Sequence, residues 1–219
     1  MSNFDENKHP RASDGKFTDG NGGYSAGVNK RIKWANENGK EVPLNADGSL
    51  DDLKLQELYE ENRTKKKKIS DYVENFRKGN GVEGEITLSD VGEKERKAIE
   101  KLTGEKLTAT KHVLSLDELR HIEKRHGTNG DSDHSMSDMS RYEQIIDVLQ
   151  NPDTVDFCVD KKGRRVFSNL YRDKNNNPAK MITFIKNYDE YMQMVVEAVC
   201  DSRRGKLHVI TSYTKKREP

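Results

Sequence analysis

The chain has 219 residues, enough for one ordinary domain with an extension or for two small domains. Charged residues make up 35% of it and hydrophobic residues 32%, so we expect part of the chain to lie outside any packed core. Because no apolar run approaches a membrane span, no signal peptide opens the chain and only two cysteines occur, we expect a cytoplasmic protein rather than a membrane protein or a disulfide scaffold.

The formal net charge of +1 hides an uneven distribution of charge along the chain. Residues 161–217 carry 14 Lys and Arg against 5 Asp and Glu, whereas the chain before them is acidic. A basic C-terminal segment indicates a polyanionic partner, or else a solvated strand surface, and the charge alone does not choose between them.

The first 81 residues divide into an arm and a helical segment. Residues 1–28 are rich in Gly, Asp, Asn and Ser, which predicts a disordered arm. Residues 29–81 predict a short helix with the single tryptophan, Trp34, and a longer helix from Ser49 to about Lys78. The stretch "KGNGVEGE" then marks the boundary of a third segment, residues 82–219.

The next part of the chain alternates short strands with capped helices. "EITLSD" and "TATKHVL" are strand candidates, and a helix with a capping box follows each of them. The second of these helices begins at Ser115, with Glu118 as its capping-box partner, and Gly127 ends it. A further helix runs from near Ser140 to Asn151.

Beyond residue 153 the hydrophobic period changes to two, which is typical of strands. Five candidates follow one another: "TVDFCVD", "RRVFSNLY", "AKMITFIKN", "YMQMVVEAVCD" and "KLHVITSYT". Their short connections favour antiparallel neighbours. The predicted fold class is α+β, with N-terminal helices followed by a five-stranded antiparallel meander.

The helix stretch "LRHIEKRHG", residues 119–127, carries two histidines. On a helical wheel His126 falls within the apolar arc of Leu119 and Ile122, whereas His121 and Arg125 lie nearly opposite. The two histidines are therefore poor candidates for ligating one metal ion from one helix face. His126 has two interpretations: a core histidine that bonds the terminal carbonyls, or a general acid–base group at a helix end.

The loop "HGTNGDSDHSMSD" after this helix allows a different chemistry. His126, Asp131, Asp133 and His134 could gather around a divalent metal ion, but the same residue types are typical of any mobile loop.

The strands suggest which surface meets a nucleic acid. In the fourth strand, Met192, Met194, Val196 and Ala198 share an apolar face, which leaves Glu197 on the other face. We expect one side of the sheet to bury against the helices and the other to present Arg165, Phe167 and Tyr171 to single-stranded nucleic acid. In the last strand Thr211 and Tyr213 alternate with His208 and Ser212, and the period does not tell which pair faces a substrate.

The order of elements, together with "HVLSLDELRHIEKRHG", a helix ending in "NPD" and a closing "KLHVITSYTK", resembles the phage-associated branch of the barnase–EndoU–colicin–RelE-like nuclease superfamily. The resemblance spans roughly residues 82–215. It implies a small metal-independent ribonuclease without cofactor, of the kind carried as toxin domains by phages and other mobile elements. It also implies that His126 and His121 match the family's helix histidines, that Arg125 is a phosphate or transition-state ligand, and that Thr211 and Tyr213 form the polar end of the final strand.

The resulting hypothesis is RNA cleavage by 2′-hydroxyl attack, with a 2′,3′-cyclic phosphate product. His126 is the general acid or base, and His121 or Glu197 is its complement. The candidate nucleic-acid contacts are Arg165, Phe167, Tyr171, Lys186, Arg203 and Arg204. The expected partners are RNA, with tRNA as one candidate, and an immunity protein, antitoxin or host protein.

A protein of another class fits the same sequence. A catalytically inactive interaction protein of a mobile element would use the basic sheet to bind nucleic acid or a host defence protein. Cleavage of RNA, as opposed to binding alone, distinguishes the two hypotheses.

Overall fold

The computed structural model describes residues 24–82, 84–173, 175–199 and 205–217, and over these ranges it is an α+β structure, as predicted. Its helices are α1 (Ala26–Glu37), α2 (Asp52–Arg77), α3 (Glu93–Thr103), α4 (Leu116–His126) and α5 (Met139–Gln150). Its strands are β1 (Glu85–Asp90), β2 (Lys111–Ser115), β3 (Thr154–Phe157), β4 (Phe167–Arg172), β5 (Pro178–Asn187), β6 (Tyr191–Val199) and β7 (Lys206–Lys216). The first 23 residues of the predicted arm lie outside the described ranges, and residues 26–28 open α1.

The chain divides into two compact units, Met1–Thr64 and Lys65–Pro219. In the first unit, a small apolar cluster holds α1 and the start of α2, formed by Val28, Ile32, Ala35 and Leu55. The ring of Trp34 meets that of Tyr59 edge-on at 5.3 Å. The predicted domain boundary at residue 81 stays a prediction.

The second unit packs helices on one face of its sheet. The remainder of α2, together with α3, α4 and α5, contributes apolar side chains to one continuous core. The sheet supplies the other half of this core through Ile182, Phe184, Val195, Leu207 and Val209, which define its helix-facing side. Among the described residues, no helix is long and apolar enough to cross a bilayer.

The sheet has seven strands, so the prediction of a five-stranded meander is wrong in strand count and connectivity. The strand order is β1-β2-β7-β6-β5-β3, with β4 also paired to β5. The two early strand candidates join the sheet because β2 pairs in parallel with the first residues of β7. Strands β3 and β4 share β5 as their partner, rather than following one another as successive strands of a meander.

The sheet has a second face, opposite the helix-facing side, which the register defines. Directly paired residues project to the same side of a sheet. The residues so aligned on the second face are Met181, Thr183, Met194, Val196, Ala198, His208, Thr211 and Tyr213. The apolar row of β6 that the sequence singled out therefore lies on the second face, and its polar alternates face the helices.

A fully buried ionic cluster links three elements beneath the helices. His112 of β2 lies between Glu197 of β6, with Nδ1 to Oε1 at 2.9 Å, and Glu95 of α3, with Nε2 to Oε1 at 2.9 Å. Burial lowers the pKa of His112, but the two carboxylates outweigh it and raise this pKa to about 10. The cluster is therefore an imidazolium held between two carboxylates, and removing one partner leaves a buried charge uncompensated.

The raised pKa of His112 predicts how stability depends on pH. Protonation favours the folded chain, so its contribution is full below pH 6.5 and is lost as the pH rises towards about 10. Burial also raises the pKa of Glu197 above its ordinary 4.5, so this group adds a decline of stability with rising pH that begins at lower pH than that of His112. We expect the free energy of unfolding, measured by urea denaturation, to fall over this range.

Two histidine variants test this pH dependence. His112→Gln changes the buried histidine, and His121→Gln changes an exposed one and is the control. We expect His112→Gln to cost about 3–5 kcal/mol and to flatten the pH dependence, because it removes the buried cation. Equal pH dependence in the two variants would contradict this account.

Candidate active site

The end of strand β2 determines where α4 lies. Only Lys111–Val113 of β2 pair with β7, through Lys206–His208. The chain then turns into α4, which packs beside β7, with Leu119 and Ile122 buried in the core. The last turn of α4 thereby reaches the later part of the same strand.

His126 is the residue at this meeting point. Its ring stacks on that of Tyr213, with centroids 5.2 Å apart and planes 23° apart, and its side chain is 12% exposed. Its Nδ1 lies 2.9 Å from Oδ2 of Asp133. A carboxylate beside Nδ1 favours the tautomer in which Nδ1–H donates to Asp133, which directs the acid–base capacity of the ring to Nε2.

The loop after α4 folds back onto the helix end and fixes Asp133. Backbone N–H groups of Asp131, Asp133 and Met136 donate to carbonyls of the last turn, so the loop satisfies groups that a helix end leaves open. Partial burial raises the pKa of Asp133, but hydrogen bonds from Ser135 and His126 outweigh it, and the net pKa lies below its usual value. Asp133 is therefore the ionised acceptor that orients His126.

Strand β7 carries the rest of the site. Val196 pairs with Thr211 and Glu197 pairs with Val209, so Ile210 is an extra residue, a β-bulge. The bulge places His208 on the same face as Thr211 and Tyr213, although an unbroken strand would separate them.

Strand β7 carries three side chains that could contact a substrate in different ways: Tyr213, Lys215 and Thr211. Burial, the nearby Cys158 and Asp133 raise the pKa of Tyr213, which keeps its hydroxyl protonated. Two residues further on, exposed Lys215 has its Nζ 5.5 Å from the centroid of the Tyr213 ring. Thr211 Oγ1 is buried and has no hydrogen-bond partner among the described residues. The ammonium of Lys215 and the imidazole of His126 thus both lie beside the ring of Tyr213.

Two predicted site residues lie on the other side of the sheet. Glu197 is fully buried in the ionic cluster with His112. Lys186 is also on the helix-facing side, where its Nζ donates to the carbonyl of Asn151 at 2.9 Å. The structure does not bring either of them to His126, because α3 and α5 cover that face.

The remaining predicted residues are scattered around the second unit. His121 and Arg125 are exposed on α4. Partial desolvation of the imidazole, together with the positive charge of Arg125, lowers the pKa of His121. Arg165 stacks its guanidinium 3.8 Å over the ring of Phe157, and Phe167 is 48% exposed. Tyr171 lies on β4 with its ring against that of His208, and Arg203 and Arg204 lie outside the described residues.

The described residues offer one group that converges closely enough for a metal ion, and it is the Glu95–His112–Glu197 cluster. Each carboxylate there faces a different ring nitrogen, an arrangement that suits a protonated imidazole better than a single cation. The loop residues His126, Asp131, Asp133 and His134 do not form such a group within the described ranges. His134 instead lies 3.3 Å from the carbonyl of Gly127.

Sequence reasoning missed the placement of three residues. Lys215 could have been found, because it lies two residues after Tyr213 and so shares its face in a regular strand. The sequence suggests Asp133 only as a metal ligand, because its contact with His126 depends on how the loop folds back. The strand period predicts His208 on the face opposite Thr211 and Tyr213, which is wrong, because no residue type marks the bulge at Ile210.

The fold and the site define an α+β domain with a helix histidine beside a central strand. A family model described as phage-Barnase-EndoU-ColicinE5/D-RelE like nuclease 3 matches residues 89–218, more than half of the chain. The chain therefore belongs to this family, and the resemblance inferred from the sequence is confirmed. No curated protein and no solved structure matches the chain.

The tight packing of the loop after α4 predicts that a side chain at Gly130 destabilises the protein. A Cβ at Gly130 would lie 2.4 Å from the carbonyl oxygen of Asp133 and 2.6 Å from that of Arg125. We expect Gly130→Ala to destabilise the protein by about 1–3 kcal/mol, measured by urea denaturation, because these contacts are with backbone. Gly81→Ala is the control, since nothing lies within 4 Å of its Cβ. Equal stability of the two variants would show that the loop is not packed in this way.

Proposed function

We propose that the protein is an endoribonuclease that cleaves RNA by attack of the 2′-hydroxyl on the adjacent phosphate. The observation that carries this proposal is the pairing of His126 with Asp133 on the ring of Tyr213. RNA supplies its own nucleophile, so the reaction needs groups that move protons and stabilise charge, and it requires neither metal nor cofactor. The products would be a 2′,3′-cyclic phosphate and a free 5′-hydroxyl.

His126 is the proton-transfer group in this mechanism. With Nδ1–H bound to Asp133, its Nε2 can take the 2′ proton and then, as part of the imidazolium, donate that proton to the leaving 5′ oxygen. Asp133 stabilises the imidazolium that forms and keeps the ring in one orientation. The His126 side chain is 12% exposed beside the ring of Tyr213, and in this proposal the phosphodiester binds at its Nε2 edge.

Charge on the phosphate would be stabilised by groups around the same ring. Lys215 projects from β7 over Tyr213. Arg125, which is exposed on the same helix as His126, is a second proposed phosphate cation, although it does not belong to the group around this ring. The Tyr213 hydroxyl, protonated because its pKa is raised, can donate to a phosphate oxygen. In this assignment Lys215 replaces Lys186 as the strand cation, and Glu197 has a structural function in the core.

The proposed mechanism also implies a partner for the protein in the cell. An enzyme that cuts cellular RNA in the cytoplasm requires restraint, so an immunity protein, antitoxin or host protein is the proposed partner. Membership in a phage-associated nuclease family supports a mobile-element origin.

This mechanism predicts that RNA cleavage by the protein depends on His126. We expect the purified chain to cut total RNA or tRNA, and His126→Ala to lower the rate at least about 100-fold, because acid–base groups contribute that much. His121→Ala tests the complementary role that the sequence suggests for His121: the side chain is exposed on the same helix, away from the ring of Tyr213, so in the mechanism proposed here we expect little change. The rates come from gel assays of labelled RNA with and without EDTA.

Each outcome distinguishes a hypothesis. Cleavage that depends on His126, persists in EDTA and leaves cyclic phosphate ends supports the proposal. Cleavage that EDTA abolishes would contradict the metal-independent mechanism. Binding without cleavage would favour the inactive interaction protein.

Two neighbouring lysines of β7 test the charge stabilisation. Lys215 lies over Tyr213, whereas Lys216 alternates to the other side of the strand and pairs opposite Tyr191. We expect Lys215→Ala to lower the rate constant of the cleavage step roughly 100-fold, as loss of one transition-state donor does elsewhere, and Lys216→Ala to have little effect. Single-turnover kinetics on a short RNA measure both. An equal effect of the two substitutions would indicate general attraction to RNA instead.

A further inference from the structure

The last turn of α2 places one arginine between α4 and the loop that follows α4. The guanidinium of Arg77 donates to Oε1 of Glu123 through Nε at 3.0 Å and through Nη2 at 2.8 Å. Its Nη1 and Nη2 also donate to the backbone carbonyls of Ser137 and Met136, at 3.0 and 2.9 Å. All three nitrogens are thus engaged, and one planar group joins a helix side chain to the backbone of the loop.

Met136, one of the residues that Arg77 holds, is also bonded to His126. The backbone N–H of Met136 donates to the carbonyl oxygen of His126 at 2.8 Å, and the side chain of Met136 is fully buried. Asp133, whose Oδ2 lies 2.9 Å from Nδ1 of His126, precedes Met136 by three residues. Arg77 therefore fixes the end of the segment that carries Asp133.

Glu123 fixes the helix end of the same arrangement. Its Oε1 accepts a further hydrogen bond at 2.6 Å from the hydroxyl of Tyr142, a fully buried residue. The carboxylate of Glu123 also lies against Gly127, where a Cβ would collide with it and would come within 2.7 Å of the Glu123 carbonyl oxygen. Arg77 and Tyr142 thus hold Glu123 from two elements, about one turn before His126.

A second cation of α2 makes an ion pair of the ordinary kind. Nζ of Lys66 lies 2.6 Å from Oδ2 of Asp147 on α5, and the Lys66 side chain is 23% exposed, the same fraction as that of Arg77. Lys66 joins two helices, whereas Arg77 bonds to the backbone of the loop. Because the two cations are equally buried, they separate an effect on stability from an effect on the geometry of the site.

We propose that Arg77 is a positioning residue, which holds the loop so that Asp133 meets Nδ1 of His126. Its effect on cleavage rests on the proposed ribonuclease function. Arg77 lies before residues 89–218, which the family model matches, so α2 supplies a part of the site from outside the matched residues. Because its nitrogens donate within the protein, Arg77 acts through His126 and not through contact with the substrate.

The test compares Arg77→Gln with its matched control, Lys66→Gln, in the full chain. In long-range proton–nitrogen NMR spectra, neutral His126 should lose its preference for a proton on Nδ1 in Arg77→Gln and keep it in Lys66→Gln. In single-turnover kinetics, Arg77→Gln should lower the cleavage rate constant roughly 100-fold, as a misplacement of about 1 Å does. The Kd for an uncleavable 2′-deoxy oligonucleotide should stay unchanged, and Lys66→Gln should leave both quantities unchanged.

Arg77→Lys is a second variant, for the case that Arg77→Gln does not fold. Lysine keeps the positive charge beside Glu123, but one ammonium cannot replace a planar fork that reaches Glu123 and two carbonyls. We therefore expect Arg77→Lys to show the same loss of the Nδ1 preference and of the cleavage rate. Thermal unfolding shows which variants are folded.

The outcomes for Arg77 and for the ribonuclease are distinct. If His126 keeps its Nδ1 proton in a folded Arg77 variant, the positioning role is overturned, whatever the cleavage rate. Equal changes in Arg77→Gln and Lys66→Gln also overturn it, because loss of either ion pair of α2 would then have the same effect. If the tautomer of His126 depends on Arg77 but the unsubstituted chain cuts no RNA, the positioning role stands and the ribonuclease proposal fails.

Discussion

The short pairing of β2 with β7 is the constraint on which the rest of the site depends. Only three residues of β2 run beside β7 before the chain turns into α4, so the helix takes the strand's place along the same edge. Leu119 and Ile122 fix the rotation of the helix by burial in the core, and that rotation directs His126 towards Tyr213. The loop that follows then adds Asp133, because it bonds to the open carbonyls of the same helix end.

Two histidines of this unit show how the surroundings decide whether a histidine stabilises the fold or can transfer a proton. His112 is sealed under the helices with a carboxylate on each ring nitrogen, so it has no unshared ring nitrogen for exchange with a substrate. His126 has one carboxylate on one nitrogen and a partly exposed ring against a strand. The first arrangement stabilises the fold while the imidazole stays protonated; the second leaves Nε2 for proton transfer. Asp133 and Glu197 are both carboxylates beside a histidine, yet only Asp133 lies at the surface.

The sequence predicted the helices and strands well, since their periods and caps are local features. It also predicted that His126 lies on the same face of α4 as Leu119 and Ile122, and the structure has this placement. It did not predict that β1 and β2 join the sheet, because the parallel pairing of β2 with β7 joins residues far apart in the chain. Periodicity also suggested that apolar β6 residues would face the helices, whereas Gln193 and Glu197 do so, each with a buried polar partner. The bulge at Ile210 has no sequence signal, and it decides where His208 points.

The tautomer of His126 tests the central claim most directly. In ¹⁵N-labelled protein, long-range proton–nitrogen NMR spectra distinguish a protonated Nδ1 from a protonated Nε2. The account predicts neutral His126 with its proton on Nδ1, and an Nε2 resonance that shifts when an uncleavable 2′-deoxy oligonucleotide is added. A proton on Nε2 in the neutral ring, or an Nε2 resonance indifferent to the oligonucleotide, would contradict it.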